Sequence, residues 1–571
     1  MIRQVRIRRR KPTVTASASL PPVVARILAA RGLDQAPDYS LAGLLPPTLS
    51  GLQPGAELLA RAIEHDQRIL VVGDFDADGA TGCAVAVRAL KMMGARYVDW
   101  LVPDRFRHGY GLSPELVTEI GAPLPDVLLT VDQGISSLAG VALARQRGAC
   151  VIVTDHHLPG PELPAADAII NPCLANDPFP SRALAGVGVV FYLMLALRKL
   201  LRERKHFAQR QPRLDALLDL VALGTVADLV PLDENNRRLV AQGLARIRAG
   251  RASPGVRALL EVAGRNLAWV SASDLGFAAA PRLNAAGRLD DMGIGIRCLL
   301  ADSEREARSL ADRLDQLNAE RRQIQDEMQA HAEVQADRMS AELGAAVQGL
   351  CVFDPDWHQG VVGLVAGRLM ERLQRPVIAF APAEQGSAML KGSGRSPSGL
   401  HMRDLLVDIS NASPGLIERF GGHARAAGLS LARDHLEAFR EAFDQRLAGA
   451  DFGEEFVDTD GSLRGDEFAI ETVAAIDQVG PWGQAWPEPL FDGRFHIESR
   501  RVVGQDHLKL RLRCADGGPG VDAMAFRAGR LCHQELPDPL HVTFRPELNR
   551  WRGQVSLQLI IQHLVKGEVD A

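Results

Sequence analysis

Three apolar runs that each end in an aspartate constrain the fold of the chain between about residues 69 and 230. The runs read RILVVGD, DVLLTVD and CVIVTD, and their last residues are Asp74, Asp132 and Asp155. Helix-like stretches such as GATGCAVAVRALKMMGA lie between them. Such β-rich runs alternating with helices are typical of βαβ units and of a parallel sheet that is covered on both faces. Ligands bind at the carboxyl ends of such strands, so the three aspartates predict a site there.

The rest of the chain divides into further segments, because 571 residues are too many for one core and indicate at least three domains. Residues 296–343 contain no Gly or Pro and predict one long helix, about 60 Å in length, that acts as a strut. A second α/β pattern covers about 346–450. Short alternating segments such as HLKLRLRC and QVSLQLII then predict a small β-barrel or sandwich.

Composition excludes some classes of protein and leaves others open. The seven cysteines show no CxxC spacing, which favours reduced thiols in a cytoplasmic protein. No apolar run reaches the roughly 18 residues needed to span a bilayer, and the basic N-terminus does not resemble a secretory signal. The net charge of −5 does not indicate a nucleic-acid-binding protein. Locally, however, residues 494–571 carry twelve basic and nine acidic side chains, a net charge of +3.

The candidate ligands of the first α/β segment are acidic and imidazole groups that lie near strand ends. They are Asp74, Asp76, Asp78, Asp132, Asp155, His156, His157 and Asp228. So many carboxylates repel one another unless a positive charge lies between them, and a mixture of carboxylate and imidazole suits Mn²⁺ or Mg²⁺. Two such ions, about 3.5–4 Å apart, are the usual apparatus for hydrolysis of a phosphodiester.

Each of these features has an ordinary structural explanation when it is taken alone. An aspartate at a strand end is usually a helix cap or a turn residue. A pair of histidines is more often a surface or core feature than a ligand pair. The segment DFDADG resembles a calcium loop but lacks that loop's distal Glu. Three strand ends that deliver carboxylate or imidazole in one βαβ series are harder to explain structurally, and together they favour a metal site.

The segments GDFDADG, VDQG, TDHH and GTVADLVPL, in that order, resemble the four motifs of the DHH phosphoesterase superfamily. Further segments, among them PDRFRHGYGL, APRLNAAGRLDDM, DWHQGVVGLVAGRL, KGSGRS and RFGGHARAAGL, are similar to the single-strand-specific 5′→3′ exonucleases of that superfamily. The similarity runs from about residue 20 to the end of the chain. Gln133 departs from the Asn or Cys that is more usual after the ligand aspartate.

The resemblance implies an α/β fold in four parts, with a DHH parallel-sheet domain, a long connecting helix, a DHH-associated α/β domain and a C-terminal OB-fold β-barrel. The expected bounds are 1–48 for an N-terminal extension, 49–295, 296–345, 346–450 and 451–571. The implied reaction is the metal-dependent hydrolysis of single-stranded DNA from its 5′ end to mononucleotides, in DNA repair and recombination.

The same resemblance implies roles for the acidic residues. One ion is expected at Asp76 and Asp132, with Asp74 as a further candidate. The other is expected at Asp78, Asp132, His156 and Asp228, so that Asp132 bridges the two ions. His157 is expected to contact the scissile phosphate or the leaving oxygen. Asp155 is expected to orient a histidine from behind.

The expected substrate contacts lie in several motifs. Ser393 and Arg395 in KGSGRS suit a phosphate, although an ordinary Gly-rich turn is the alternative. Tyr110 could stack on a base, although a buried structural Tyr is a common alternative. The remaining candidates are Arg105, Arg282, Asn284, Arg288 and His423.

Two other functions compete with this one. A DHH phosphodiesterase that acts on short oligonucleotides, cyclic dinucleotides or pyrophosphate would account for the first and third segments, but not for a basic barrel. A non-catalytic scaffold is disfavoured because every expected metal position holds a competent ligand. By family likeness, a helicase and a single-strand-binding protein are expected partners, and the chain shows no oligomerisation motif, which favours a monomer.

Overall fold

The computed structural model describes residues 3–105, 107–208, 210–343, 348–450, 456–504, 506–518, 520–551 and 553–565. In chain order its strands are β1 (Arg3–Arg9), β2 (Arg68–Gly73), β3 (Tyr97–Leu101), β4 (Val127–Val131), β5 (Cys150–Thr154), β6 (Ala168–Ile170), β7 (Leu350–Phe353), β8 (Val377–Pro382), β9 (Met389–Arg395), β10 (Arg419–Gly422), β11 (Ala426–Ala432), β12 (Phe456–Thr459), β13 (Phe491–Val503), β14 (His507–Cys514), β15 (Gly520–Ala525), β16 (Leu540–Trp551) and β17 (Gln554–Val565).

The α-helices are given in the same order. They are α1 (Pro22–Ala29), α2 (Leu52–Glu64), α3 (Ala77–Met92), α4 (Pro114–Ile120), α5 (Leu138–Gln146), α6 (Gly186–Glu203), α7 (Leu218–Ala227), α8 (Glu234–Arg248), α9 (Pro254–Val262), α10 (Ala272–Asp274), α11 (Ala280–Leu289), α12 (Gly293–Leu300), α13 (Glu304–Leu343), α14 (Val362–Leu373), α15 (Met402–Ala412), α16 (Leu436–Leu447) and α17 (Ile470–Gln478).

The chain forms two compact units. One, here called the parallel-sheet unit, comprises Pro37–Ala319 and Gly480–Glu488. The other, here called the barrel unit, comprises Met1–Ala36, Glu320–Val479 and Pro489–Ala571. Helix α13 contains the division between them at Glu320. Among the described residues, no helix combines the length and the apolar character needed to cross a membrane.

The parallel-sheet unit contains a sheet with the strand order β3-β2-β4-β5-β6, and all of its strand pairs are parallel. Its central strands are buried on both faces, as their continuous apolar sequences predicted. On one face Leu70, Val72 and Leu128 pack with residues of α4 and α5. The predicted α/β parallel-sheet domain is therefore confirmed, and its strand ends place Asp74, Asp132 and Asp155 along one edge.

The long helix begins later in the chain than the sequence predicted. The sequence predicted a helix from Ile296, but the structure ends α12 at Leu300 and begins α13 at Glu304. The hydroxyl of Ser303 accepts a hydrogen bond from the backbone N–H of Glu306 at 3.2 Å and so caps the new helix. Absence of Gly and Pro is therefore not sufficient for continuity, because a serine cap can start a helix inside such a stretch.

The barrel unit holds two sheets. The first has the order β10-β11-β9-β8-β7, in which only the β7–β8 pair is parallel, and it packs a core that includes Phe380, Phe439 and Phe443. In the second, strands β13 to β17 close on themselves, because β17 pairs with both β15 and β16. The predicted DHH-associated α/β fold and C-terminal OB-type barrel are thus both present.

The N-terminal segment joins the barrel sheet. Strand β1 lies between β12 and β17 and pairs in parallel with both. Arginines of this segment, which the sequence showed only as a basic cluster, bind buried carboxylates. Arg9 donates two hydrogen bonds to Asp492, at 3.1 and 2.6 Å, and Arg10 donates one to Asp460 at 3.1 Å. Part of the basic charge of the N-terminus is therefore used inside the fold.

Asp492 is a buried carboxylate on which several groups converge. Thr459 donates its hydroxyl at 2.8 Å, and the His541 ring lies 3.5 Å away. Burial alone would raise the pKa of Asp492, but the hydrogen bonds from His541, Arg9 and Thr459 outweigh burial and lower it. The ionised form of Asp492 is therefore bound more favourably in the folded protein than in the unfolded chain.

We predict that Asp492→Asn lowers the free energy of unfolding at pH 7 by about 3 kcal/mol, because Arg9 loses a buried partner. The folded pKa lies below the unfolded value of about 3.9, so the stabilisation is present above that pH and is lost as the pH falls below it. Urea unfolding of both proteins across this range should show the difference narrowing below about pH 4.

Asp458→Asn is the control, because the pair of Asp458 with Arg8 is exposed to solvent. It should change stability by less than about 1 kcal/mol. A difference between Asp492→Asn and wild type that stays constant from neutral to acid pH would contradict the assignment.

Candidate metal centre

The three aspartates after β2 lie in the turn between that strand and α3 and in the first turn of α3. Asp74 follows the strand end, whereas Asp76 is the N-cap of α3. Its Oδ1 accepts hydrogen bonds from the backbone N–H groups of Asp78 and Gly79, both at 3.0 Å. Asp78 lies in the first helical turn. The three carboxylates therefore lie around a strand-to-helix turn, and Asp76 caps the helix.

Asp78 is fixed by a second helix. Its Oδ2 accepts the N–H of Gly186 at 2.6 Å and its Oδ1 accepts the N–H of Val187 at 3.0 Å, both in the first turn of α6. The positive end of a helix dipole stabilises a carboxylate at this place. The sequence had not indicated this role for the segment LAGVGVVF, because it carries no polar side chain.

Asp132 adopts a left-handed backbone conformation, with φ of 62°, directly after β4. Its Oδ1 lies 3.1 Å from Nε2 of His156, and the same Nε2 lies 3.5 Å from Oδ2 of Asp228. Asp228 is the C-cap residue of α7. One imidazole therefore faces two carboxylates that come from distant parts of the sequence.

His157 is held from two sides. Its Nδ1 lies 2.8 Å from Oδ1 of Asp155 and 3.0 Å from the hydroxyl of Tyr110. The Tyr110 hydroxyl also donates to the backbone carbonyl of Asp132 at 3.2 Å. Asp155 is fully buried, and its second oxygen accepts the N–H of Ile135 at 2.9 Å. Asp155 thus orients a histidine, and Tyr110, proposed only as a stacking residue, links His157 to the backbone of Asp132.

The electrostatics of the site favour a bound cation. Burial, followed by the charges of neighbouring aspartates, raises the pKa of Asp74 and of Asp132 well above the usual value. The same causes raise the pKa of Asp78 to about 7 and that of Asp228 to about 9. Partial burial would lower the pKa of His157, but its hydrogen bond with Asp155 outweighs this and raises the pKa to about 9. A divalent ion among these oxygens would remove the repulsion that produces the raised pKa values.

Three overlapping sets of ligand atoms can hold a metal ion, with all atoms of a set within 4.8 Å of one another. The sets are Asp74, Asp76 and Asp132; Asp78, His156 and Asp228; and Asp132, His156 and His157. Asp132 and His156 each belong to two sets. Carboxylate and imidazole donors without thiols fit Mn²⁺ or Mg²⁺.

Two glycines permit the close approach of these elements. A Cβ on Gly186 would lie 2.4 Å from Cβ of Asp132, and a Cβ on Gly79 would lie 2.5 Å from the backbone nitrogen of Asp74. Any larger residue at these positions would displace a candidate ligand. Sequence reasoning missed Gly186, because its contact with Asp132 joins segments that are not neighbours in the chain.

Several predicted substrate residues lie near the acidic cluster, in the same unit. Arg105 donates to the carbonyl of Gly287 at 3.4 Å, and its guanidinium lies 4.5 Å from the ring centre of Phe75. The amide oxygen of Asn284 accepts the N–H of Ala77 at 2.8 Å, at the start of α3. These contacts hold α11 and Arg105 beside the turn that carries the aspartates.

Arg282 and Arg288 complete the set on α11. Arg282 is buried, donates to the carbonyl of Ala278 at 2.6 Å and pairs with Asp315 at 2.7 Å. These bonds occupy part of its guanidinium inside the protein. Arg288 is half-buried near the end of the helix.

The remaining predicted residues lie in the other unit. Nη1 of Arg395 donates to the hydroxyl of Ser393 at 3.0 Å, and both residues belong to β9. A Cβ on Gly363, in the first turn of α14, would lie 2.9 Å from that hydroxyl. His423 lies in the β10–β11 turn, beside the end of β11 that pairs with Arg395. The structure therefore groups these three residues at one end of one sheet.

Comparisons with known proteins agree with this architecture. The DHH family N-terminal domain matches residues 68–225, the DHHA1 domain 344–449 and the RecJ OB domain 459–563. The chain is 50% identical to the single-stranded-DNA-specific exonuclease RecJ of Dickeya dadantii, over 97% of this chain and 98% of the relative. It is 49% identical to that of Escherichia coli, over 99% and 100%.

Solved structures give the same result. The Mn²⁺ complex of RecJ from Thermus thermophilus superposes with a TM-score of 0.81 at 31% identity, covering 99% of this chain and 80% of that one. The Mg²⁺ complex of RecJ from the same organism gives a TM-score of 0.75 at 29% identity, covering 99% and 79%. Fold and site together define a metal-dependent phosphoesterase of the DHH class. Within that class, the chain belongs to the RecJ exonuclease family.

We predict that Asp155→Asn weakens the affinity of the metal-stripped protein for Mn²⁺ by about 10- to 100-fold. The carboxylate accepts hydrogen bonds from Ile135, His156 and His157, and an amide would turn a donor toward one of these N–H groups. Isothermal titration with MnCl₂ measures the effect.

Asp167→Asn is the matched control. Asp167 also accepts a backbone N–H, from Val151 at 2.8 Å, but near the opposite end of β5. Its Mn²⁺ affinity should equal that of wild type. Equal affinities for the two variants would contradict the orienting role of Asp155.

Proposed function

We propose that this protein is a single-stranded-DNA-specific 5′→3′ exonuclease, which hydrolyses phosphodiester bonds with two Mn²⁺ or Mg²⁺ ions and releases 5′-mononucleotides in DNA repair and recombination. The observation that carries the proposal is the overlap of the three ligand sets at Asp132 and His156. Shared ligands are what a pair of ions about 3.5–4 Å apart requires. The resemblance to RecJ exonucleases along nearly the whole chain supports the choice of substrate.

We assign the metal ligands as the sequence suggested. Asp74, Asp76 and Asp132 would hold one ion, and Asp78, Asp132, His156 and Asp228 the other, with Asp132 shared. When bound, the ions supply a hydroxide at neutral pH and stabilise the charge that develops on the phosphate. The protein's own contribution is to hold these ligands at fixed positions, through the N–H groups of α3 and α6.

His157 is the proposed group that contacts the reacting phosphate. Its ring is partly accessible, and its hydrogen bond with Asp155 raises its pKa and so favours the protonated imidazole. A protonated imidazole held by Asp155 and Tyr110 can donate to a phosphate oxygen or to the leaving oxygen. The contact of Nδ1 with Asp155 supports this role, because it holds the ring in one orientation.

Recognition of the DNA is assigned to groups in both units. We propose that Ser393, Arg395 and His423 bind the 5′-phosphate, because a guanidinium and a hydroxyl beside the first turn of α14 suit a dianion. Arg105, Tyr110, Arg282, Asn284 and Arg288 remain candidates for contacts with the backbone and the bases. The barrel, with its net positive charge, is the proposed surface for the longer strand.

The domain bounds are kept as part of the proposal, at 1–48, 49–295, 296–345, 346–450 and 451–571. The pairing of β1 with β12 and β17 adds that the first segment folds with the last. We further infer that the protein acts in the cytoplasm as a monomer, together with a helicase and a single-strand-binding protein. The seven free thiols support a reducing compartment.

We predict that Asp132→Ala lowers the rate of cleavage of single-stranded DNA by about a thousandfold or more, because a shared carboxylate serves both ions. The rate is measured with purified protein on a labelled oligonucleotide in Mn²⁺, and circular dichroism verifies the fold. A folded variant that cuts within about tenfold of wild type would remove Asp132 from the bridging position.

The polarity of the reaction gives a separate prediction. Arg395→Ala should lose much more activity on 5′-phosphorylated single strands than on 5′-hydroxyl strands, because only the former carries the dianion. The measurement is the ratio of the two cleavage rates. Arg419→Ala is the control, since Arg419 is exposed on β10, away from the His423 turn. A ratio that does not change in Arg395→Ala would exclude this residue as the reader of the 5′ end.

A further inference from the structure

The segment Gly480–Glu488, here called the strap, belongs to the parallel-sheet unit although the chain on both sides of it belongs to the barrel unit. Its sequence, GPWGQAWPE, is apolar and aromatic. Gly483 and Trp486 exchange two backbone hydrogen bonds, at 2.9 and 3.1 Å, and Ala485 between them adopts a φ of 59°. The strap therefore contains a tight turn, in which Gln484 and Ala485 are the two central residues.

The strap binds the turn that follows Asp228. The carbonyl of Gln484 accepts the backbone N–H of Leu232 at 2.7 Å. The ring of Trp486 is buried under the guanidinium of Arg237, at 4.0 Å from its centre, and the same guanidinium donates to the carbonyl of Leu232 at 2.8 Å. Both backbone groups of Leu232 are thus satisfied by the strap or by the arginine that the strap covers.

The turn from Asp228 to Leu232 depends on such external partners. Leu229 has a left-handed φ of 61°, and its N–H and that of Asp228 make the last backbone hydrogen bonds to α7, so the helix does not fix the backbone beyond Leu229. The carbonyl of Pro231, within the same turn, accepts a hydrogen bond from the side-chain amide of Asn236 at 2.9 Å. Asp228 therefore lies between a helix end on one side and an anchored Leu232 on the other.

We propose that the strap positions Asp228 as a metal ligand, so that the affinity of the Asp78, His156 and Asp228 set for Mn²⁺ depends on Trp486 and Gly483. The inference rests on the proposed function in one respect, namely that Asp228 binds an ion. The first set, Asp74, Asp76 and Asp132, has no ligand on this turn. The strap thus affects the binding of one of the two ions. It does so by fixing the position of the Asp228 carboxylate, with which it makes no direct contact.

The test is isothermal titration calorimetry, in which MnCl₂ is added to the metal-stripped full-length protein. Trp486→Ala should lower the affinity for one of the two Mn²⁺ ions by about tenfold and leave the affinity for the other unchanged. Supporting contacts of a ligand contribute to metal affinity on this scale. Trp486→Phe keeps an aromatic face under Arg237 and should restore most of the affinity. Trp269→Ala is the matched control, because Trp269 is an exposed Trp in the same unit, and it should bind both ions as wild type does.

A second variant keeps the test decisive if Trp486→Ala does not fold. Gly483 is exposed, and a Cβ there would lie 2.6 Å from Cδ1 of Leu232. Gly483→Ala must therefore displace the Leu232 side chain while leaving the buried Trp486 in place, and it should weaken the binding of the same ion. Unchanged Mn²⁺ affinities in a folded Trp486→Ala or Gly483→Ala variant would overturn the proposal. An equal loss of affinity for both ions would overturn it as well.

Asp228→Asn separates this proposal from the function on which it rests. If Asp228→Asn leaves both Mn²⁺ affinities unchanged, the metal assignment itself is wrong. If Asp228→Asn weakens one ion but the strap variants do not, the metal assignment stands and the positioning role of the strap is wrong.

Discussion

The mutual repulsion of buried carboxylates is the constraint on which the rest of this structure depends. Asp74, Asp78 and Asp132 are almost inaccessible to solvent, and their neighbours raise their pKa values further. Such a cluster is costly unless a cation neutralises it, and the fold must hold it together before any ion arrives. The N–H groups at the starts of α3 and α6 do this, because each offers fixed positive dipoles that do not compete with the metal for charge.

The parallel sheet and its acidic edge could be predicted from the sequence because both depend on local sequence patterns. Continuous apolar runs set the strands, and the residue after each run sets the edge. The start of the long helix could not be predicted from composition, since the capping hydroxyl of Ser303 outweighs helix propensity over a few residues. The helical rather than extended placement of Asp76 and Asp78 has the same origin, because capping bonds decide it.

Contacts between distant segments lie beyond such patterns. Nothing in GPWGQAWPE states that its partner is Leu232, and nothing in the N-terminal arginines states that their partners are Asp460 and Asp492. The glycine requirement at Gly186 is of the same kind, because only the assembled fold brings it against Asp132. The types of ligand could therefore be predicted from the sequence, whereas the groups that hold the ligands in place, apart from Asp155, could not.

The position of β1 has a consequence for the way in which this chain is made. Arg3 pairs with His563, so β1 is synthesised more than 500 residues before the strand with which it pairs. At about 5–20 residues per second, this segment waits for tens of seconds, while the domains between fold. The arginines on it keep the waiting strand hydrated and discourage pairing with other chains, as charged residues do on exposed strand edges. The same side chains then become internal partners once β12 and β17 have formed.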